Sequence, residues 1–411
     1  MNELELLIIA CAKSYMHNSS LEQSIDLQQE KWQKVFKIAC EQRLLPVVYE
    51  KVCHEPSFLK IDDKVKKYWR QMSIMSIVEQ INKSNAFLSL YQKIEEENLE
   101  CLVTKGLILR ELYRKKEWRT SGDEDILVNK KDFKKLHRIL IENDYRVLNN
   151  AYIDDLEVVV YDNYRNSLHL EVHRVLFGKN TPYHYLNDFF KDVFKTKNKI
   201  VIENNKIQVM NPQLQLLYLI CHAFKHFVNM GVGLRQIMDI GMYSQKYYQI
   251  INWDKLFDDV NKFNGYEFVC CIYMILNDYL DITYKKINFP LEKIDMKIDY
   301  LPFLKDIFKG GIYGKAIKKR TYSHLMTSQL LDGKKSGLTF RIFFPTVDKL
   351  KQSYPILNKH PYLIFYIWIK RAIRFIKRYY NDHGKDNINI KKIISENNER
   401  INLLKKYKII R

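Results

Sequence analysis

Two aspartates, Asp123 and Asp125, stand one residue apart in the segment 122–128, Gly-Asp-Glu-Asp-Ile-Leu-Val. The segment continues into apolar residues that favour β structure, so we interpret it as a short strand, on which side chains at i and i+2 share a face. Two neighbouring carboxylates repel each other unless a cation lies between them, and Mg²⁺, which prefers oxygen ligands, is the natural candidate. Taken alone, the pattern also fits two solvated acids on a strand or turn.

A phosphate-binding turn is predicted before this pair. Residues 100–106 form a mainly apolar strand that ends in Lys105 and Gly106, and residues 107–113 follow as a helix. Strand, glycine turn and helix bring free backbone N–H groups and the positive end of the helix dipole to one place, which suits a phosphate. Lys105 adds a point charge there.

A third carboxylate comes from the segment 167–173, in which polar and apolar residues alternate strictly. His169, Glu171 and His173 share one face of this predicted strand. The strand can therefore bring Glu171 beside the two aspartates, and three acids facing a phosphate-binding turn form a two-metal site for phosphoryl transfer. His173 would orient Glu171 or hydrogen-bond the substrate; otherwise it is a structural residue.

The order of these segments resembles the nucleotidyltransferases of the DNA polymerase beta superfamily. The similarity lies in the blocks KGLILRELY, RTSGDEDILV and HLEVH, of which the second and third are specific. Within the superfamily the chain is most similar to a group of uncharacterised bacterial nucleotidyltransferase family proteins, and similarity of lower specificity extends to residues 32–49, 212–239 and 344–371. The resemblance implies transfer of a nucleoside monophosphate from an NTP such as ATP to an acceptor that it does not identify.

The resemblance also implies roles for the acidic residues. Asp123 and Asp125 would hold two Mg²⁺ ions, one bound to the triphosphate and one to the acceptor hydroxyl. Glu171 would complete the site of the acceptor-side ion and draw off the proton. A lowered pKa of the hydroxyl and neutralised charge at the α-phosphate would then supply most of the catalysis.

The chain departs from the superfamily at the phosphate turn, where Gly-Ser is usual and the serine hydroxyl meets the triphosphate. Here the turn is Lys105-Gly106, and Thr104, Lys105 and Ser121 could each take over the contact. Arg119, in the short loop before the aspartates, is a candidate phosphate clamp, and the alternative interpretation is a surface arginine.

The residue patterns and the resemblance predict an α+β protein, with a polymerase-beta-like α/β core and a mixed sheet flanked by N-terminal and C-terminal helical regions. We expect an N-terminal helical region (1–98), the catalytic core (99–210), a helical substrate or acceptor domain (211–345) and basic C-terminal helices (346–411). Periodicity predicts helices at 4–15, 27–52 with a bend at Pro46, 64–97 and 131–143, and strands at 145–148, 157–162, 167–175, 200–202 and 207–210. Helices with glycine breaks are expected over 212–280.

A second candidate site is the pair His222 and His226, whose i, i+4 spacing on a helix suits Zn²⁺. Asp239 is a candidate third ligand, although nothing in the sequence places it near the pair. The alternatives are a helix face that lines the nucleotide or acceptor cleft, as the resemblance suggests, and ordinary packed or surface histidines.

The composition indicates a folded and strongly basic protein, with 46% hydrophobic residues and a formal charge of +19. Such an excess favours polyanionic partners such as RNA, DNA or anionic lipid, although lysine-rich usage also follows from an AT-rich genome. Residues 359–411 hold 14 Lys/Arg against 4 Asp/Glu. This tail is either an electrostatic arm for a nucleic acid or anionic surface, or a solvated helix pair docked through Ile, Leu and Tyr.

Other features bear on the compartment. The 7 cysteines include no C-x-x-C and fit buried thiols in a reducing cytosol. The N-terminus has acids where a signal peptide needs positive charge, and no apolar run reaches the roughly 18 residues of a membrane span. We therefore expect a soluble, cytoplasmic protein, and the absence of G-x-S-x-G and Walker-type motifs gives no support to other hydrolase or NTPase chemistry.

Two other functions stay open. The same site could transfer the nucleotide to a protein side chain or to tRNA instead of a small molecule. Alternatively, a degenerate nucleotidyltransferase fold could serve as a binding protein or as a basic nucleic-acid-binding module. Three intact carboxylates argue against degeneracy, and the loss of Gly-Ser argues for it.

Overall fold

A computed structural model describes residues 1–148, 153, 156–179, 181–311, 346–351, 354–383 and 390–410. In these residues helices surround one seven-stranded mixed sheet, so the predicted α+β class is confirmed. None of the described helices is both long and apolar enough to cross a lipid bilayer. The four-domain division stays a prediction, and the main hydrophobic core draws side chains from all four regions.

The sheet has the strand order β3-β4-β5-β2-β1-β7-β6. Its strands are β1 (Cys101–Val103), β2 (Glu124–Val128), β3 (Arg146–Val147), β4 (Val158–Asn163), β5 (Leu168–His173), β6 (Asn198–Ile202) and β7 (Asn205–Val209). The pairs β2/β5 and β1/β7 are parallel, and the other four pairs are antiparallel. β1 and β2 are buried at every position, as expected of central strands that are covered on both faces.

The pairing of β2 with β5 brings the acidic residues together. Asp125 lies directly opposite Glu171, and Leu127 lies opposite His173. Because directly paired residues point to the same face of a sheet, the two carboxylates are neighbours. The predicted position of Glu171 beside the aspartate pair is thus confirmed for Asp125.

The helices before the sheet are α1 (Glu3–Met16), α2 (Gln29–Glu41), α3 (Leu45–Val52), α4 (Pro56–Leu59) and α5 (Asp63–Glu96). The prediction of one bent helix over 27–52 is wrong, because the chain breaks between α2 and α3. Arg43 adopts a φ of +54° there, a left-handed conformation that an L-residue helix does not continue. Pro46 then stands in the first turn of α3, where its missing N–H costs nothing.

The side-chain hydroxyl of Tyr91 links α5 to the sheet. Tyr91 Oη donates to the carbonyl of Cys101 at 3.0 Å and accepts from the N–H of Gln208 at 2.8 Å. These residues belong to β1 and β7, so the helix is anchored across two neighbouring strands. β1 leads directly into the predicted phosphate turn, and α5 thereby supports the base of the site.

The remaining helices are α6 (Leu107–Arg110), α7 (Phe133–Glu142), α8 (Pro212–Asn229), α9 (Leu234–Tyr247), α10 (Trp253–Asn261), α11 (Tyr266–Leu280), α12 (Leu301–Gly310), α13 (Val347–Leu350), α14 (Ile356–Lys359), α15 (Ile364–His383) and α16 (Ile390–Lys406). The predicted glycine breaks are confirmed, with Gly231 and Gly233 between α8 and α9 and Gly265 before α11. The sequence also predicts loops around Gly314 and Gly333, and these positions lie outside the described residues. α8 begins at Pro212, and the Asn211 side chain before it accepts from the N–H of Leu214, the third residue of the helix.

Candidate active site

Gly106 forms the turn that follows β1, with a φ of +49°. Side chains other than glycine rarely adopt this conformation. A Cβ atom added here would also lie 1.8 Å from Oε2 of Glu124. Both the backbone conformation and the close approach of a carboxylate therefore require glycine at this position.

Glu124, between the two aspartates, is buried and holds the turn in place. Its Oε2 accepts from the N–H of Leu107 at 2.9 Å, and its Oε1 accepts from Arg110 Nη1 at 2.6 Å. We predicted free N–H groups at this turn for a phosphate. The structure corrects this expectation, because the first N–H of the short helix α6 is bound by Glu124.

Asp125 lies in β2, and each of its carboxylate oxygens has a partner. Oδ2 accepts from Lys105 Nζ at 2.8 Å, and Oδ1 lies 3.2 Å from His173 Nε2. Burial opposes the ionisation of Asp125, but Lys105 and His173 outweigh it and hold the pKa of this carboxyl below its usual range. Asp125 is therefore an anion at neutral pH.

Glu171 is the more accessible of the paired carboxylates, with 31% of its side chain exposed. Its Oε2 lies 3.5 Å from His173 Nε2, and this contact lowers the pKa of Glu171 against the effect of burial. Burial by itself would lower the pKa of His173, but the carboxylates of Asp125 and Glu171 raise it above its ordinary value. One imidazole therefore bridges two acids, and the predicted role of His173 in orienting Glu171 stays a prediction.

Asp123 precedes β2 and lines the same cleft as Asp125 and Lys105. Burial and the charge of Asp125 raise its pKa, and Lys105 offsets part of this shift. The negative charge of Asp125 near Asp123 is thus only partly balanced by Lys105. Such a place suits a cation.

Three side chains are arranged to hold a metal ion within the described part of the chain. Asp125, Glu171 and His173 each offer a ligand atom, and these atoms lie within 4.8 Å of one another. Carboxylates suit Mg²⁺ and Mn²⁺, whereas imidazole suits metals such as Zn²⁺ and Fe²⁺. The donor set and the unbalanced charge at Asp123 fit a divalent cation. Its identity as Mg²⁺, the number of ions and the participation of Asp123 stay predictions.

α8 places basic side chains around Lys105. His222 Nε2 lies 2.8 Å from Lys105 Nζ, and His226 Nε2 lies 3.2 Å from His222 Nε2. Burial and the positive charges of Lys225 and Lys105 lower the pKa of His226 to about 3, and that of His222 is lowered as well. Both imidazoles are therefore neutral, and His222 can accept a hydrogen bond from the lysine. Among the described residues, Asp239 does not form a metal-binding cluster with these two histidines.

Arg119, the predicted phosphate clamp, is bound by Asp239 of α9. Its Nε and Nη2 donate to the two carboxylate oxygens at 2.9 and 2.8 Å, and Tyr113 Oη donates to one of them at 2.9 Å. Its Nη1 donates to the carbonyl of Gly106 at 3.4 Å. Arg119 thus links a helix of the second half to the glycine turn, and its contact with a phosphate stays a prediction.

The two hydroxyls considered as substitutes for the usual serine have partners within the protein. Thr104 Oγ1 donates to the carbonyl of Asp125 at 3.1 Å, and Ser121 Oγ donates to Gln80 Oε1 at 3.2 Å. Lys105, by contrast, brings its ammonium group to the acidic residues. Triphosphate contacts by any of the three stay predictions.

Sequence reasoning missed several residues of this region. Glu124 could have been recognised as a positioning residue, since it must point away from the aspartates on either side of it along a strand. Lys225 lies between the histidine pair, and burial and Lys105 lower its pKa while Glu171 and Asp125 raise it. Arg235 had no local signal and enters the cleft through the packing of α9.

An acidic pair on parallel central strands, with a lysine at a glycine turn, is the arrangement expected from the sequence for the nucleotidyltransferase class. The chain belongs to a family described as uncharacterised nucleotidyltransferase, whose profile matches residues 28–281. This confirms the resemblance found in the sequence. A solved antigenic nucleotidyltransferase-like protein from Paracoccidioides brasiliensis is similar at 14% identity and a TM-score of 0.32, over 49% of this chain and 93% of that chain. No curated protein matches the sequence significantly.

Proposed function

We propose that this protein transfers a nucleoside monophosphate from an NTP to an acceptor hydroxyl. The observation that carries the proposal is the pairing of Asp125 with Glu171 across parallel strands, in a cleft that also holds Lys105 and Asp123. In the reaction, the acceptor oxygen bonds to the α-phosphorus while the bond from that phosphorus to the β-phosphate oxygen breaks. Pyrophosphate leaves, and the proton of the hydroxyl passes to a base.

Asp125 and Glu171, with Asp123 beside them, would hold divalent metal ions, for which we propose two Mg²⁺. When bound, such ions neutralise charge on the phosphates and lower the pKa of the attacking hydroxyl. Glu171 is proposed as the base, because it is the partly exposed member of the pair and is kept ionised by His173. Asp125 is fully enclosed by its partners, which suits a fixed ligand.

Lys105 is proposed to bind a phosphate oxygen of the nucleotide. Its ammonium group lies 2.8 Å both from Asp125 and from the neutral His222. Because His222 accepts without adding charge, it can orient the ammonium group without neutralising it. His222 then serves in the cleft lining that the family resemblance implies, and His226 lies behind it in contact with its ring.

The test is transfer of label from each α-³²P-NTP in a cell extract, sorted into RNA, protein and small molecules. Glu171→Gln should lower transfer by roughly 100-fold or more, because the lost charge acts on the transition state. Mg-NTP binding should change by less than about tenfold. Asp162→Asn is the matched control, since Asp162 is an acid on the neighbouring strand β4 whose partner is His169. Full turnover by Glu171→Gln would remove this residue from the mechanism.

A second candidate function is nucleotide binding without transfer. It is favoured by the internal hydrogen bonds of the phosphate turn and by the salt bridge that joins Lys105 to Asp125. This alternative predicts that the wild type binds NTP but labels no fraction of the extract. Restored label transfer with Mn²⁺ in place of Mg²⁺ would argue for the enzyme instead.

A further inference from the structure

Arg235 is a buried arginine in the wall of the acidic cleft. It is only 7% exposed and lies with Lys105, Asp123 and Asp125 around the same space. Its Nη1 donates to the carbonyl of Thr120, and its Nε has no hydrogen-bond partner within the described part of the chain. No acidic side chain of the described residues forms a salt bridge with it. A buried guanidinium in this state is costly unless an anion balances it.

Asp239 supplies only part of that balance. It follows Arg235 by one turn of α9, but both of its oxygens accept from Arg119, and one also accepts from Tyr113. Burial and the positive charge of Arg119, with a further contribution from Arg43, outweigh the opposing effects of Asp239 and Tyr113 and lower the pKa of Arg235. At this wall of the cleft, the positive charges of Arg119 and Arg235 thus outnumber the negative charge of Asp239.

Two features make the wall suitable for an oxyanion. A guanidinium offers donors in a planar fork that matches phosphate oxygens. Arg235 is also the second residue of α9, a 14-residue helix whose positive dipole end lies here. Both features favour a ligand with dispersed negative charge, such as a polyphosphate.

We propose that Arg235 forms an oxyanion subsite for the β- and γ-phosphates of the nucleotide, an inference that rests on the proposed function. Transfer requires the α-phosphate to lie beside Asp125 and Glu171. The cationic wall that contains Arg235 would therefore bind the β- and γ-phosphates, which leave as pyrophosphate. When the bond to the α-phosphorus breaks, its electron pair stays on the pyrophosphate oxygen. Arg235 neutralises that added charge and remains with the leaving pyrophosphate.

The experiment compares Arg235→Gln and Arg235→Lys with the wild type, using calorimetric titration of Mg-pyrophosphate, Mg-NTP and NMP. Arg235→Gln should weaken binding of pyrophosphate and NTP by roughly 10- to 100-fold while leaving NMP within about threefold. Arg235→Lys should recover part of the loss, because it keeps the charge but not the fork. Arg165→Gln is the control for net charge, since this side chain is 81% exposed and away from the cleft.

Thermal melts separate ligand binding from a structural role. Removal of a buried and unbalanced charge should keep or raise the melting temperature of Arg235→Gln without ligand. Pyrophosphate should raise the melting temperature of the wild type more than that of the variant. A variant that melts well below the wild type, with unchanged binding per folded molecule, would show that Arg235 only supports the fold.

The outcomes also separate this subsite from the proposed function. If the wild type labels no acceptor but binds pyrophosphate through Arg235, the subsite stands and the transfer function fails. If the wild type transfers nucleotide and Arg235→Gln binds pyrophosphate equally well, the subsite is wrong and the transfer function stands. An equal loss for NMP and NTP would assign Arg235 to the α-phosphate and overturn the proposal. Absence of any pyrophosphate binding in the wild type would overturn it as well.

Discussion

At the scale of single residues, neighbouring groups in the cleft have opposite electrostatic environments. Asp125 has a lowered pKa and Asp123, two residues earlier, has a raised one. Burial acts on both, but only Asp125 has Lys105 and His173 on its oxygens. The charge state of each acid thus depends on its partners more than on its depth in the protein.

The histidines of α8 give a pH prediction at this scale. The pKa of His226 is lowered to about 3 from an ordinary value of 6.5. Between these values the unfolded chain binds a proton that the folded protein excludes. The contribution of His226 to stability is therefore fully present above pH 6.5 and is lost as the pH falls toward 3, with a slope of at most about 1.4 kcal/mol per pH unit.

His226→Gln should accordingly make the free energy of unfolding less dependent on pH between 6.5 and 4. Urea denaturation of the wild type and the variant at four pH values measures the difference in slope. His54→Gln is a suitable control, because His54 lies outside the cleft near the start of α4. Parallel curves for the wild type and His226→Gln would contradict the assignment of a neutral His226.

At the scale of elements, the site depends on one glycine turn between β1 and α6. Gly106→Ala would place a Cβ in a left-handed backbone and against the Glu124 carboxylate. Displacement of Glu124 would leave the buried Arg110 without its salt bridge. We expect a loss of roughly 2–5 kcal/mol in the free energy of unfolding.

Chemical denaturation of Gly106→Ala and Gly122→Ala tests this expectation. A Cβ at Gly122 would meet Arg43 Nη2 at 3.4 Å, the end of a flexible side chain, so this control should change stability by less than about 1 kcal/mol. Equal stability of the two variants would show that Glu124 can move without cost, and the turn would not be the support that we describe.

At the scale of the whole molecule, part of the basic tail is docked. Arg400 forms a buried salt bridge with Asp306 at 2.5 Å, and Lys406 pairs with Asp299 at 2.6 Å. Tyr407 is buried in the main core. These contacts agree with the docked-helix interpretation for the last segment, and they neutralise part of its positive charge.

α15 differs from that last segment. Phe365, Ile369 and Ile373 are 65%, 61% and 51% exposed, and Lys370 and Arg374 each follow one of the two isoleucines directly in the sequence. If the tail is an electrostatic arm, this helix is the part whose charges remain available to a polyanion. Its apolar side chains would then stack or pack against the partner.

If residues 359–411 form an electrostatic arm, the logarithm of the association constant K for tRNA should fall steeply with log[salt]. Lys370→Gln with Arg374→Gln should lower the slope by about 0.9 per lost phosphate contact. Lys406→Gln is the control, since this lysine is already paired with Asp299. Weak binding that neither substitution changes would favour docked helices without a nucleic-acid role.

The sequence by itself determined the acidic strands, the glycine turn and the α+β class, because these depend on local periodicity. Side chains alternate along a strand, so Glu171 and His173 had to share a face, and the register of β2 with β5 placed that face against Asp125. Most helix and strand positions followed for the same reason, but the break between α2 and α3 did not. The four proposed regions stay a prediction.

Only the tertiary structure decided which side chains meet across long stretches of chain. Arg119 and Asp239 are 120 residues apart in sequence, and their pairing leaves Arg235 without a salt bridge to any acid of the described residues. Lys105 and His222 meet across 117 residues. Such contacts depend on how α8 and α9 pack against the sheet, and local propensity carries no information about that packing.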